Sequence, residues 1–318
     1  MINEISTGRN TGFLGWKDWF TKRSSQDTLT AYIFLLPNIL GFFLFTLGPV
    51  VASFAVSFFN WRLLEPPVFV GWENYQTMFI ADPLFYKAVF NTLFFVATYV
   101  PLNIIISVGV AQWLSGKLKG VNFYRLLFFM PILTPAVAVG AVWKYIYQPD
   151  FGLIDSVLAK IGMKGPFWLG DPNWALFSIV IMTLWFQMGW NMVIFIAAIK
   201  NIPAALFECA EIDGSGKIRQ FFKITLPMIS PAIFFGVVMT VISSFQVFDQ
   251  IYVMAGFNAN LGNPMNATRT ISIHIFENGF RFIKMGYAAA CSWALFLIIF
   301  IMTVIQFYAQ KKWVYYDM

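Results

Sequence analysis

An all-α integral membrane protein with six transmembrane helices is what this sequence predicts, and three observations carry that reading. Of 318 residues, 59% are hydrophobic and only 11% are charged, where a soluble domain is about a quarter charged. Mean hydropathy is +0.69 and phenylalanine alone supplies 37 residues, more apolar surface than a water-soluble core hides. Six apolar runs reach the roughly 20 residues that a bilayer crossing needs: 32–58, 89–114, 123–147, 174–199, 229–254 and 287–309.

The first element, residues 1–30, reads as a cytoplasmic tail. Its polar, mixed composition gives no cleavable signal peptide. Within it, Phe13, Trp16, Trp19 and Phe20 alternate with Lys17, Asp18 and Lys22, which fits either an interfacial helix on the membrane or an aromatic tail. Residues 31–310 form the membrane domain, and 311–318 a second cytoplasmic tail. Pro37, Pro49, Pro101, Pro131 and Pro135 fall inside spans. Each frees a backbone carbonyl that neighbours must satisfy, so these spans are expected to line a protein interior. The connections 60–88, 148–173 and 255–286 are long enough for short helices. Ile271, Ile275, Phe276 and Phe282 in the last have rough helical spacing, which suits either a surface for an external partner or a cap on the bundle, and the cap is the expectation.

Orientation follows from the basic residues. Thirteen of the 21 lysines and arginines, including Lys117, Lys119, Lys200, Lys217, Arg219 and Lys223, fall on the side of the two termini and close to span ends. That excess puts both termini in the cytoplasm. The net charge of +6 is therefore topology, and no nucleic-acid partner is implied. Cys209 and Cys291 make no ligand pattern, so neither a metal site nor a disulfide is expected.

Residues 200–227 are a charged island between the fourth and fifth spans. Pro203 suits the first turn of a helix, and Ala204 to Asp213 are mostly good helix formers. Gly214 suits a left-handed helix end, and Ser215 a cap for a second helix that runs through Arg219 and Phe222 and ends before Pro227. Helices this short are unstable alone, so they are expected to pack on something. Phe207, Phe221 and Phe222 suit insertion into a groove, and Glu208 and Glu211 suit its basic rim.

Glu208, Cys209 and Ala210, then Asp213, Gly214 and Ser215, then Ile224, Leu226 and Pro227 resemble the EAA loop of binding-protein-dependent ABC importer permeases. Cys209 stands where the family has its middle alanine. FVGWENY at Phe69–Tyr75, FFMPILTPAVAVGAVW at Phe128–Trp143, PDFGLID at Pro149–Asp155, VFDQIYV at Val247–Val253 and GYAAACSWALF at Gly286–Phe296 are similar to its carbohydrate-importer subgroup. The resemblance implies a type I ABC importer permease fold with a cytoplasmic coupling helix, in a bacterial cytoplasmic (inner) membrane. It implies a second permease, an ATPase dimer that binds the ATP and Mg, and an extracytoplasmic solute-binding protein that delivers a sugar. The chain itself would bind no cofactor and catalyse nothing.

The resemblance also points to the fourth and fifth spans as the substrate path. Thr183, Gln187, Trp190 and Asn191 share a helical face, as do Thr240 and Ser244, with Ser243 and Gln246 adjacent. Hydroxyls and amides suit sugar hydroxyls, and Trp suits the apolar face of a pyranose. The same groups also serve as glue between helices, and both readings stay open. Asp249, near the outer end of span five, reads as structural.

Other signals fail. Gly214-Ser215-Gly216-Lys217 lacks the earlier glycine, the hydroxyl after Lys and the preceding strand of a phosphate-binding loop. His274, the only histidine, reads as a surface or packing residue. Asn266-Ala267-Thr268 has only the form of a glycosylation acceptor. A stand-alone secondary transporter, the main alternative, predicts charged relays in the spans and internal pseudo-symmetry, and a receptor or scaffold predicts no path.

Overall fold

The computed structural model describes residues 23–116, 118–255 and 261–315, apart from the side chains of 23–27 and 29. The interfacial-helix reading of residues 13–22 lies outside these. The chain divides into two units, Met1–Ala55 and Val56–Met318. In the first, α1 (Arg23–Phe42) carries Pro37 and continues through a widened π turn, Phe43–Leu47, into α2 (Gly48–Val56).

That π turn has a local cause. Proline lacks an N–H, and its ring crowds the carbonyl four residues back. The Gly48 amide, just ahead of Pro49, bonds the carbonyl of Phe43, five residues back, which opens the turn around the obstruction. The same device recurs in the second unit, where the Leu226 amide, ahead of Pro227, bonds the Phe221 carbonyl.

The second unit begins with a small antiparallel hairpin, β1 (Phe59–Asn60) on β2 (Val68–Phe69). The long helix α3 (Pro83–Ser115) follows. Asp82 caps it through Oδ1, which accepts from the amides of Leu84 at 2.8 Å and Phe85 at 3.2 Å, and Pro83 occupies the first turn, where a missing N–H costs nothing. Next come α4 (Val121–Phe129), α5 (Ala136–Ile146), α6 (Leu153–Lys160) and α7 (Ala175–Lys200). The charged island forms α8 (Ala204–Ile212) and α9 (Lys217–Gln220). The chain closes with α10 (Ser230–Phe245), α11 (Asp249–Ala255), α12 (Ile271–Phe276) and α13 (Met285–Ala309).

Among the described residues four helices are long and apolar enough to cross a membrane, and the count reaches six when two bent pairs each form one span. The bends correct the sequence reading twice. Residues 123–147 are not one straight helix: a 3-10 turn at Met130–Leu133 and the Pro131–Pro135 pair turn the axis by 101°. Residues 229–254 are not continuous either. The chain leaves helix at Gln246 and re-enters it at Asp249, so α11 packs on α5 instead of extending α10. Pro101 departs from expectation too, lying on an exposed face of α3.

α3 and α7 make the most extensive helix contact, joined by α10. One buried cluster includes Phe95, Tyr99, Ile179, Met182, Phe245 and Ile251, and a second includes Val108, Leu114, Met192, Phe195 and Ile229. Lipid is as apolar as leucine, so within the bilayer such contacts hold by close packing and hydrogen bonds, not by water exclusion. Gly189 shows how close: a Cβ there would stand 2.4 Å from the Phe128 carbonyl oxygen, so α7 passes directly against the end of α4.

In the connection before α13, His274 is a packing residue, 1% exposed. Its Nε2 lies 3.2 Å from Asp82 Oδ2 and 3.3 Å from the Asn278 amide nitrogen, and Tyr287 donates its hydroxyl to the same Asp82 oxygen at 2.6 Å. Arg269 pairs with Glu277, which also reaches Arg281 at 3.5 Å. The cluster ties the start of α3 to α12 and α13. Burial pushes the imidazole below its ordinary value and Arg269 adds to this, against the pull of Asp82 and Glu277. The unfolded chain therefore takes up a proton on this histidine before the folded one does. Its contribution is level above about pH 6.5 and falls as pH drops below that. The melting temperature of the purified protein should fall on acidification from about pH 7.5 to about pH 5.5, and less steeply in His274→Asn. An identical pH slope in both proteins contradicts this.

Candidate functional site

Two places collect the residues singled out from sequence. The first is the charged island. α8 starts at Ala204, with Pro203 one residue ahead of its first turn. Its far end is closed by a pair of bonds: the Ser215 amide to the Ala210 carbonyl at 2.8 Å, and the Gly214 amide to Glu211 at 3.0 Å. Gly214 has φ of +72°. This is a Schellman end with glycine at the left-handed position. Ser215 does not cap α9: Gly216 holds the cap position without a side-chain bond, and the Gln220 side-chain Nε2 donates back to the Ser215 carbonyl at 3.0 Å. Nor does the helical course stop before Pro227. It passes through the π turn Phe221–Thr225 and the turn Leu226–Met228, then bends 67° into α10.

Glu208, Cys209, Glu211, Asp213 and Gly214 are exposed, and Ala210 and Ser215 are half-buried. The aromatic residues divide. Phe207 and Phe221, both half-buried, pack against the cluster that includes Ile202, Phe195 and Ile229. Phe222 stays 60% exposed. Sequence reasoning missed Ile212 and Ile218, 86% and 78% exposed, which flank the turn. Ile212 stands out between the exposed residues Glu211 and Asp213.

The second place lies between α3, α7 and α10. A cavity of about 220 Å3 is lined by Phe95, Tyr99, Thr183, Gln187, Ser243, Ser244, Gln246, Val247, Phe248, Asp249 and Gln250. Five of the eight anticipated path residues thus meet there: Thr183, Gln187, Ser243, Ser244 and Gln246. Tyr99 donates its hydroxyl to Gln187 Oε1 at 2.8 Å. Ser243 and Ser244 bond the Thr240 carbonyl at 3.1 and 2.7 Å, which is the ordinary back-bonding of hydroxyls in a helix.

The other three do not line this cavity. The Asn191 amide nitrogen donates to Asn103 Oδ1 at 2.6 Å and to Thr240 Oγ1 at 2.8 Å, and Asn103 reaches Tyr99 OH at 3.2 Å. Asn191 and Thr240 thus sit in a buried polar knot joining α7, α3 and α10, the kind of contact that holds helices together in a bilayer. Trp190, next to Asn191 in the chain, is 53% exposed. Tyr99 and Asn103 were missed. Their spacing of four on one helix face is the signal that was available.

These features define a membrane-embedded transport subunit: bent, polar-lined spans around a cavity and an exposed helical loop between spans four and five. Comparison with known proteins agrees. The family model described as the binding-protein-dependent transport system inner membrane component matches residues 103–315. The chain is 35% identical over 294 residues to the probable ABC transporter permease protein YesP of Bacillus subtilis (strain 168), across 92% of this chain and 94% of that one. It is 32% identical over 299 residues to the lactose transport system permease protein LacF of Rhizobium radiobacter, across 92% and 98%. A solved bacterial ABC transporter involved in the import of the acidic polysaccharide alginate shares the fold, with a TM-score of 0.76 at 20% identity over 93% of this chain and 98% of that one. The chain belongs to the binding-protein-dependent transport system inner membrane component family, and it is an ABC transporter permease.

Proposed function

We propose that this chain is one of two permease subunits of a carbohydrate importer in a bacterial cytoplasmic membrane. Both termini and the charged island face the cytoplasm. A second permease, a different chain, completes the pathway for a sugar or oligosaccharide. A separate ATPase dimer binds ATP and Mg, and an extracytoplasmic binding protein delivers the sugar. This chain carries no catalytic residue and no cofactor of its own. The observation that carries the reading is the exposed island, whose glycine-closed turn holds Ile212, Ile218 and Phe222 outward beside Glu208 and Glu211. Similarity to the lactose transport system permease protein LacF supports the sugar class.

In this reading Glu208, Cys209, Ala210, Asp213, Gly214 and Ser215 form the coupling element. Ile212, Ile218 and Phe222 seat it in the ATPase, while Phe207 and Phe221 anchor it to the permease core. Nucleotide-driven closure of the ATPase dimer moves this element as a rigid body, because the π turn and α10 continue it into the membrane. The cavity residues Thr183, Gln187, Ser243, Ser244 and Gln246 contact passing sugar by hydrogen bonds.

Gentle detergent purification of the tagged chain from its own membranes, with partners counted by mass spectrometry, tests this. Two ATPase copies and one different permease are expected. Charging the seat, by Ile212→Asp with Ile218→Asp, should reduce ATPase recovery about tenfold or more, since burying an unpaired carboxylate costs several kcal/mol. Unchanged recovery contradicts the assignment of those side chains.

A further inference from the structure

We propose that Asp249 makes the transport cavity selective for uncharged sugars, against uronates, sugar phosphates and other anionic carbohydrates. This rests on the reading of the cavity as the sugar path. Asp249 is the only formally charged side chain among the described residues that line it; the polar remainder are hydroxyls and amides, Gln187, Ser243 and Gln246 foremost. Asp249 is exposed and lines the cavity, and it makes no hydrogen bond or ion pair with the described residues. It stands where the chain leaves α10 and starts α11, in the break that opens this side of the cavity.

The chemistry follows from the donor and acceptor inventory. An ionised carboxylate accepts only, and its two oxygens can take neighbouring hydroxyls of one sugar ring. Gln187, Gln246 and the serines supply both donors and acceptors, which suits a polyhydroxylated neutral ligand. Phe248 adds an aromatic edge for the apolar side of a ring. A uronate or phosphate entering the same space meets a like charge and no cation. Between cavity walls that repulsion is screened less than in bulk water.

The test reads the charge of the cavity directly. In the complete transporter, the exposed native thiol is removed by Cys209→Ser; the other cysteine, Cys291, is buried. Ser243→Cys then places a thiol on the cavity wall. Its rates with a trimethylammonium methanethiosulfonate and a sulfonate methanethiosulfonate are compared at low ionic strength, each scaled to a free thiol. The cationic reagent is expected to be favoured about tenfold, the effect of one charge a few ångströms away in a half-enclosed site, with most of the preference lost in Asp249→Asn. Equal rates, or a preference that Asp249→Asn leaves intact, overturn the charge assignment and leave the path standing. A thiol that reacts with neither reagent, at rest or during turnover, overturns the path and the proposal with it. Cargo recovered from the native binding protein gives the second reading. A neutral sugar supports the proposal. A uronate or sugar phosphate carried at full rate overturns it.

Discussion

Replacing Gly214 by proline is expected to abolish ATP-driven uptake, by well over tenfold, while the chain still inserts in the membrane. Gly214 sits at φ of +72° and its amide bonds the Glu211 carbonyl at 3.0 Å. Proline fixes φ near −65° and has no N–H, so both features are lost at a cost of about 3 kcal/mol or more. The turn then opens, and Ile212 and Ile218 no longer hold their separation. Gly214→Ala keeps the amide and pays only the left-handed penalty of about 1–2 kcal/mol, so it should couple weakly but measurably. Uptake by reconstituted transporter, set against chain abundance in the membrane, gives the comparison. Wild-type uptake by the proline variant would sink the coupling role.

The second large effect is expected at Gly189. A Cβ there would lie 2.4 Å from the Phe128 carbonyl oxygen and 3.0 Å from Phe129 Cα. Both are backbone atoms, so no side-chain rotation relieves the contact. Gly189→Val must push α7 away from α4, which loosens the broken span that follows and the polar knot at Asn191. A loss near 3 kcal/mol, the upper end for overpacking, should appear as a sharp drop in melting temperature and in recovery of assembled transporter. A Gly189→Val chain with the wild-type melting temperature contradicts the close crossing.

The apolar spans and the short helices of the charged island were legible in the sequence because their signals are local. A run of twenty apolar residues declares a crossing, and Pro203 and Gly214 bound the first helix of the island within one short stretch, whereas the helical course runs on through Pro227. What escaped was set by partners distant in sequence. The break at Gln246–Phe248 hides because Val247, Phe248, Ile251 and Val253 keep the run largely apolar, with Asp249 its single charge. Asn191 reads equally as a path residue or as glue until Asn103, 88 residues away, is seen to accept from it. The inward turn of Phe207 and Phe221, and the outward turn of Ile212 and Ile218, depend on where the island rests against α7 and α10. Composition does not encode that.

The most direct measurement is solute uptake into proteoliposomes holding either the purified chain alone or the chain with its second permease, ATPase dimer and binding protein. The account predicts no uptake by the chain alone and ATP-dependent uptake of a sugar by the full assembly. Uptake by the chain alone, driven by an ion gradient or running without ATP, would contradict the account and make it a self-sufficient carrier.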